Sequence, residues 1–143
     1  MNRKTSNHYL KKNRNSPRDG SVATVFYDGS CKLCSREIEH YRKVRGSDKI
    51  LWIDIRNSTE LLTEYNLDPK TALARFHVLD SRGKWHTGAK GFSELWSHLT
   101  YYRWLAKILN ALHLLPFVEI AYRQFAQWRL DRQCNTVKCG QLE

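Results

Sequence analysis

Cys31 and Cys34 are separated by two residues and lie between a hydrophobic run and a helical pattern. The run from Val22 to Tyr27 is almost wholly apolar, as expected of a strand that is buried on both faces. From Ser35 to about Val44, apolar residues recur at the spacing of a helix that packs one side on a sheet. A Cys-x-x-Cys at a strand-to-helix turn is typical of thiol–disulfide chemistry, so this placement constrains both fold and function.

The position of Cys31 at the start of a helix predicts a reactive sulfur. Unpaired backbone N–H groups and the helix dipole favour an anion there, so we expect the pKa of Cys31 to fall below the free value of about 8.5. Cys34 follows after nearly one turn, close enough to form a disulfide with Cys31 or to resolve a mixed disulfide. We therefore predict that Cys31 is the exposed attacking thiolate and that Cys34 is the more buried resolving thiol, with the higher pKa.

The residues around the two cysteines are predicted to tune this site. Asp28-Gly29 is a turn signal, and Ser30 completes the turn. Asp28 either accepts a proton or bonds backbone N–H groups of the turn, and we favour the second role. Its negative charge opposes thiolate formation, whereas the positive charge of Lys32 favours it.

The stretch Asp28–Cys34 resembles the DCC (DUF393) family of predicted thiol–disulfide oxidoreductases. Further matches to the family pattern are Phe76–Gly83, Gly88–Phe92, Ala121–Arg123 and Arg129. The resemblance implies a thioredoxin-like fold and dithiol–disulfide exchange, a reaction for which we expect no cofactor. The sequence departs from the family pattern at Lys32, Gly91 and Trp128.

The order of elements predicts an α/β fold with a thioredoxin-like mixed sheet flanked by helices. Further strands are predicted at Ile50–Ile55, Phe76–Leu79 and Lys84–Thr87, and further helices at Thr59–Tyr65 and from Phe92 to His98 or beyond. An added C-terminal helical segment follows, with a break near Leu115-Pro116. We place this domain at residues 22–130.

The two ends of the chain differ from the domain between them. Residues 1–21 carry six basic residues and one acidic residue, and we interpret them as a basic, disordered arm. The tail, residues 131–143, contains Cys134 and Cys139. These are relay thiols, surface thiols or metal ligands; we rank thiols above metal and predict no metal site.

We predict a cytoplasmic enzyme whose partner is a disulfide-containing protein or a small thiol substrate, with an unidentified reductant. No stretch of about 18 residues is free of charge, so no membrane span is expected, and the N-terminus shows no secretory signal. Two alternatives remain, the first motivated by the charge of the arm, which carries half of the net charge of +10, and the second by the two cysteine pairs. One is a non-catalytic binding module whose arm contacts nucleic acid or an acidic partner, with nucleic acid the less favoured; the other is a cysteine metal-binding domain.

Overall fold

The centre of the molecule is a single mixed sheet. The structure is a computed structural model that describes residues 20–136, with side chains to residue 132. The strands occur in the spatial order β2-β1-β3-β4, where they are β1 (Ala23–Tyr27), β2 (Ile50–Asp54), β3 (His77–Asp80) and β4 (Trp85–Thr87). β1 is parallel to β2 and antiparallel to β3, and β4 is antiparallel to β3. The predicted mixed sheet is therefore confirmed.

In residues 20–136, six α-helices flank the two faces of this sheet. They are α1 (Lys32–Arg42), α2 (Thr59–Glu64), α3 (Pro69–Ala74), α4 (Gly88–His98), α5 (Arg103–Ala111) and α6 (Leu115–Thr136). Successive side chains of a strand point to opposite faces, so Val25 packs with residues of α1, α4 and α6 while Phe26 packs with residues of α2 and α3. This is the predicted thioredoxin-like α/β arrangement with an added C-terminal helical segment.

The pairing of β1 with β2 positions the candidate site. Tyr27 at the end of β1 is in register with Asp54 at the end of β2, so the two carboxyl ends lie side by side. The turn before α1 leaves the sheet at this edge. In open α/β sheets, this edge is where functional crevices form.

The C-terminal segment consists of two helices, as predicted from Pro116. α5 ends at Ala111, α6 begins at Leu115, and their axes differ by 112°. Within the described residues, no single helix is long and apolar enough to cross a membrane. α6 continues to Thr136, so it extends past residue 130, where we placed the end of the domain, into the tail.

Helix α3 is missing from the predicted order of elements. Asp68 precedes it and accepts a hydrogen bond at Oδ2 from the Thr71 N–H at 2.9 Å, and Pro69 occupies the first helical position. Both are standard helix-start signals, but a helix of 6 residues is too short to show apolar periodicity. Two other helices begin earlier than predicted: α1 at Lys32, not Ser35, and α4 at Gly88, not Phe92.

Candidate active site

Cys31 is the residue that caps the N-terminus of α1. Its backbone is extended, and its Sγ accepts a hydrogen bond from the Cys34 N–H at 3.3 Å. A thiolate in this position receives an N–H that has no partner within the helix. The predicted placement of Cys31 at the helix start is thus found in the structure.

The predicted exposure of the two cysteines is wrong. Cys31 is buried, with 9% of its surface exposed, whereas Cys34 is partly exposed. The Cys31 Sγ lies against the first turn of its own helix, where it accepts the Cys34 N–H, and in this position little of it contacts solvent. Both cysteines are free thiols in this structure.

Cys34 lies beside Arg129 of α6. The Arg129 Nη1 donates to the Cys34 Sγ at 3.4 Å, and Nη2 donates to the Leu73 carbonyl at 2.6 Å. Burial and a hydrogen bond with Cys31 raise the pKa of Cys34 to about 12, although Arg129 acts in the opposite direction. Cys34 is therefore a protonated thiol at neutral pH, and the direction of its pKa agrees with the prediction for a resolving cysteine.

Asp28 holds the turn that leads to Cys31. Its buried carboxylate accepts hydrogen bonds at Oδ1 from the Ser30 N–H at 3.0 Å and the Ser30 Oγ at 2.7 Å. The Arg56 Nε, from the segment after β2, approaches the same oxygen at 3.2 Å. These contacts match the turn-bonding role that we favoured for Asp28.

Gly29 is required by the close approach of Asp54. The Gly29 N–H donates to the Asp54 Oδ1 at 3.0 Å, and a Cβ at Gly29 would overlap that carboxylate. The Arg56 N–H donates to the same oxygen. Asp54 therefore ties the turn after β1 to the turn after β2, while Ser30 and Lys32 lie exposed on the outside.

Sequence reasoning missed three side chains of this site as functional residues. Asp54 and Arg56 carry a usable signal, because Asp54 ends the strand that pairs in parallel with β1 and Arg56 follows it, so both reach the same edge. Arg129 had been noted only as part of the family resemblance. It is 95 residues from Cys34, so no local pattern connects them.

A pocket lies on the Cys34 side of the pair. Cys34, Asp28 and Arg129 line it together with aromatic side chains that include Phe92 and Phe125. A group held there would contact the Cys34 sulfur, a guanidinium and aromatic rings.

One group of side chains in the described part of the chain has metal-ligand geometry, and it lies away from the cysteines. Asp80, His86 and Glu94 bring one ligand atom each to within 4.8 Å of one another. The Asp80 Oδ1 already accepts from the Arg82 and Lys84 N–H groups, and its Oδ2 contacts the His86 Nε2 at 2.9 Å. These hydrogen bonds account for Asp80 and His86 as a tie within the β3–β4 hairpin, while Glu94 of α4 contacts the His98 Nε2 at 2.8 Å.

Other predictions about the cysteines remain untested. Cys134 belongs to α6, but its side chain lies outside the described part, and Cys139 lies outside it entirely. Their distance from Cys31 and Cys34 is therefore still a prediction, as are the absence of a metal there and the role of the basic arm. The cytoplasmic location is also still a prediction.

Comparison with known proteins matches the chain to one family. The model of the DCC1-like thiol-disulfide oxidoreductase family matches residues 25–135. A protein of Arabidopsis thaliana, At5g50100, which is described as chloroplastic, is 28% identical over 124 residues. That alignment covers 84% of this chain and 57% of the plant protein, so the chain spans little more than half the length of this relative. No solved structure matches.

The family match covers more than half of the chain and includes the turn with both cysteines and the arginine beside them. It supports a thiol–disulfide redox role in general, without naming a substrate. The chain belongs to the DCC1-like thiol-disulfide oxidoreductase family.

Proposed function

We propose that this protein reduces or exchanges disulfides through Cys31 and Cys34, acting on a protein or a small-molecule disulfide. The observation that carries the proposal is the hydrogen bond from the Cys34 N–H to the Cys31 Sγ at the start of α1. It is a contact that stabilises a thiolate more than a thiol. The adjacent Cys34, held as a thiol, supplies the second half of the reaction.

The reaction proceeds in two steps. The Cys31 thiolate attacks one sulfur of the substrate disulfide, forms a mixed disulfide, and releases the other sulfur as a thiolate that takes up a proton. Cys34 then loses its proton and attacks the Cys31 Sγ, which releases the second substrate thiolate and leaves a Cys31–Cys34 disulfide. Two electrons pass to the substrate, and a dithiol or thiol reductant restores the protein.

Arg129 assists the second step in this scheme. Cys34 has to become an anion before it attacks, and its pKa of about 12 makes that costly at neutral pH. The Arg129 guanidinium, at 3.4 Å from the sulfur, stabilises that anion. Substrate anions that develop next to the pocket meet the same positive charge.

The test uses a parent chain with Cys134→Ser and Cys139→Ser, so that only two thiols remain. Reduction of a disulfide-linked fluorescent peptide and of glutathione disulfide is measured for this parent and for its Cys31→Ser and Cys34→Ser variants. We expect both variants to lose turnover and only Cys34→Ser to accumulate a mixed disulfide, seen by mass spectrometry.

Two outcomes would count against the proposal. Equal turnover of the parent and the Cys31→Ser variant would exclude a role for the pair in catalysis. A mixed disulfide that accumulates in Cys31→Ser and not in Cys34→Ser would reverse the two roles and make the partly exposed Cys34 the attacking sulfur.

A further inference from the structure

The outward sides of α5 and α6 expose an unusual amount of apolar surface. Six large side chains, each between 41% and 69% exposed, follow one another at helical spacing along the two helices. We call this surface the outer face; its members are Trp104, Ile108 and Leu112 of the α5 side and Phe117, Ile120 and Trp128 of α6. Contiguous exposed apolar surface of this kind marks an interaction site in most soluble domains.

The fold does not need the outer face for its own core. Each helix buries a different side: Ala106 on α5, and Tyr122 and Ala126 on α6. Both helices pack on α4. Among residues 20–132, the outer face is therefore the side of the two helices that stays exposed, and its two halves meet at the bend between Leu112 and Phe117.

The charges around the outer face are mainly positive. Four exposed cations accompany it along the two helices, namely Arg103, Lys107, Arg123 and Arg132. Asp131 is exposed there as well, and the other acidic side chain of the segment, Glu119, is bonded to Arg75, to the Ala89 N–H and, at 3.4 Å, to the Arg123 Nε. A matching occupant carries negative charge and presents an apolar layer next to it.

A second copy of this chain would bring the same cations together across a two-fold interface, which charge repulsion disfavours. A membrane surface with anionic lipids satisfies both requirements, since tryptophan and phenylalanine enter the headgroup region while lysine and arginine contact the lipid charges. Taken together, the two helices have the length and apolar composition of a membrane segment, but the bend of 112° suits a pair that lies along a surface.

We propose that the outer face of α5 and α6 binds reversibly to the surface of membranes that contain anionic lipids. The six apolar side chains enter the interface, and the cations beside them, Arg103 and Lys107 of α5 foremost, contact the headgroups. The binding does not depend on the thiol chemistry of Cys31 and Cys34, and a failure of either proposal leaves the other intact.

The test measures co-sedimentation of the full reduced chain with vesicles of phosphatidylcholine alone or with about a third of phosphatidylglycerol. We expect partitioning to be at least tenfold stronger with the anionic lipid and to weaken as salt is raised, with a blue shift of tryptophan fluorescence. The double variant Trp104→Ser/Phe117→Ser should lose at least tenfold in partitioning to the anionic vesicles. Both side chains are exposed, so its circular dichroism and unfolding midpoint should match those of the parent.

A matched control is Leu33→Ser, which removes an exposed leucine next to the redox turn and outside the outer face. It should leave partitioning unchanged. The basic arm is present in every variant, so the difference between variants reports on the outer face.

Three results would overturn the proposal. One is a parent that does not bind anionic vesicles. Another is a double variant that binds as well as the parent, which would assign the binding to the basic arm. The last is a parent that forms a dimer in analytical ultracentrifugation which the double variant abolishes, because the occupant would then be a second copy.

Discussion

Asp28 and Asp80 are buried aspartates near opposite ends of the sheet, and each holds a turn in the same way. Asp28 accepts a hydrogen bond from the Ser30 N–H and Asp80 from the Arg82 N–H, in both cases two residues further along the chain. Each also meets a nitrogen of a side chain, which is Arg56 at 3.2 Å for Asp28 and His86 at 2.9 Å for Asp80.

The two ends differ in what the turn leads to. The chain after Asp80 returns to the sheet as β4, and the polar groups of that hairpin bond one another. The chain after Asp28 leaves the sheet and enters α1, where Cys31 caps the helix next to a pocket. The same local device therefore stabilises a hairpin at one end and orients a sulfur at the other. Substitutions should affect stability at both ends but reactivity at only one.

The largest effect is expected at Arg129, which belongs to the redox end alone. Arg129→Leu should slow resolution of the mixed disulfide by roughly ten- to a hundredfold, because a hydrogen bond to a charged group contributes about 1.5–3 kcal/mol. Single-turnover release of a thiol from the trapped mixed disulfide measures this step. Arg132→Leu, at an exposed arginine one turn further along α6, is the control and should leave the rate unchanged.

The same substitution should raise the pKa of Cys34 further. In a Cys31→Ser parent without the tail cysteines, the alkylation rate of Cys34 should rise only well above pH 9, because burial raises its pKa. Losing the opposing charge of Arg129 moves that rise to still higher pH. A midpoint near the free-thiol value of about 8.5 would contradict this assignment.

A pair of glycine substitutions distinguishes the effect on stability, expected at both ends of the sheet, from the effect on turnover, expected only at the redox turn. Gly29→Ala forces a Cβ into the Asp54 carboxylate and should cost up to about 3 kcal/mol of unfolding free energy, with a loss of disulfide turnover. Gly83→Ala in the hairpin places alanine at a φ of 80° and should cost about 1 kcal/mol. Urea unfolding measures the free energies, and turnover at a temperature where both variants are folded should be lowered only in Gly29→Ala.

The next prediction concerns the hairpin end and its dependence on pH. Burial alone would raise the pKa of Asp80, but hydrogen bonds from His86, Lys84 and Arg82 lower it to about 2. The ionised carboxylate therefore stabilises the fold above the unfolded pKa of about 4, and this contribution disappears as the pH falls to about 2.

Asp80→Asn should accordingly lose roughly 2 kcal/mol at neutral pH, the free energy that corresponds to this pKa shift. The difference from the parent in urea unfolding should shrink between about pH 4 and pH 2. Asp131→Asn, at an exposed aspartate, should change the unfolding free energy by less than about 0.5 kcal/mol at any pH. A constant difference for Asp80→Asn down to pH 2 would show that its charge is not what stabilises the hairpin.

The smallest effect is expected at Ser30. Ser30→Ala removes the Oγ bond to Asp28 but keeps the backbone bond, so it should cost about 0.5–1 kcal/mol. Ser81→Ala, at the exposed serine that follows Asp80, is the matched substitution in the hairpin and should be nearly neutral. If the two variants were equally stable, the side-chain bond of Ser30 would contribute nothing to the redox turn.

The sheet and the redox turn could be predicted because their signals are local. The apolar run of β1, the Asp28-Gly29 turn and the helix pattern after Cys31 are all close in the chain, and each predicts a structure that the others fit. Helix α3 was missed because its start signals, Asp68 and Pro69, precede a helix shorter than two full turns.

The contacts that tune the sulfurs could not be predicted in this way. Arg129 contacts Cys34 from a helix that is 95 residues away in the sequence. A contact over such a separation produces no recognisable residue spacing. The prediction of which cysteine is exposed failed for a different reason. A helix start predicts unpaired N–H groups, but whether the capping side chain folds onto them depends on its rotamer, which residue type alone does not determine.

Trp128 and Arg129 are consecutive residues of α6 that point to different sides of the helix. Trp128 is on the solvent side, whereas Arg129 reaches inward to the Cys34 sulfur at 3.4 Å. Both side chains are fixed to one turn of the same backbone, so a displacement of α6 would move them together. The arginine that contacts the Cys34 sulfur thus belongs to a helix whose other side, at Trp128, is in contact with solvent.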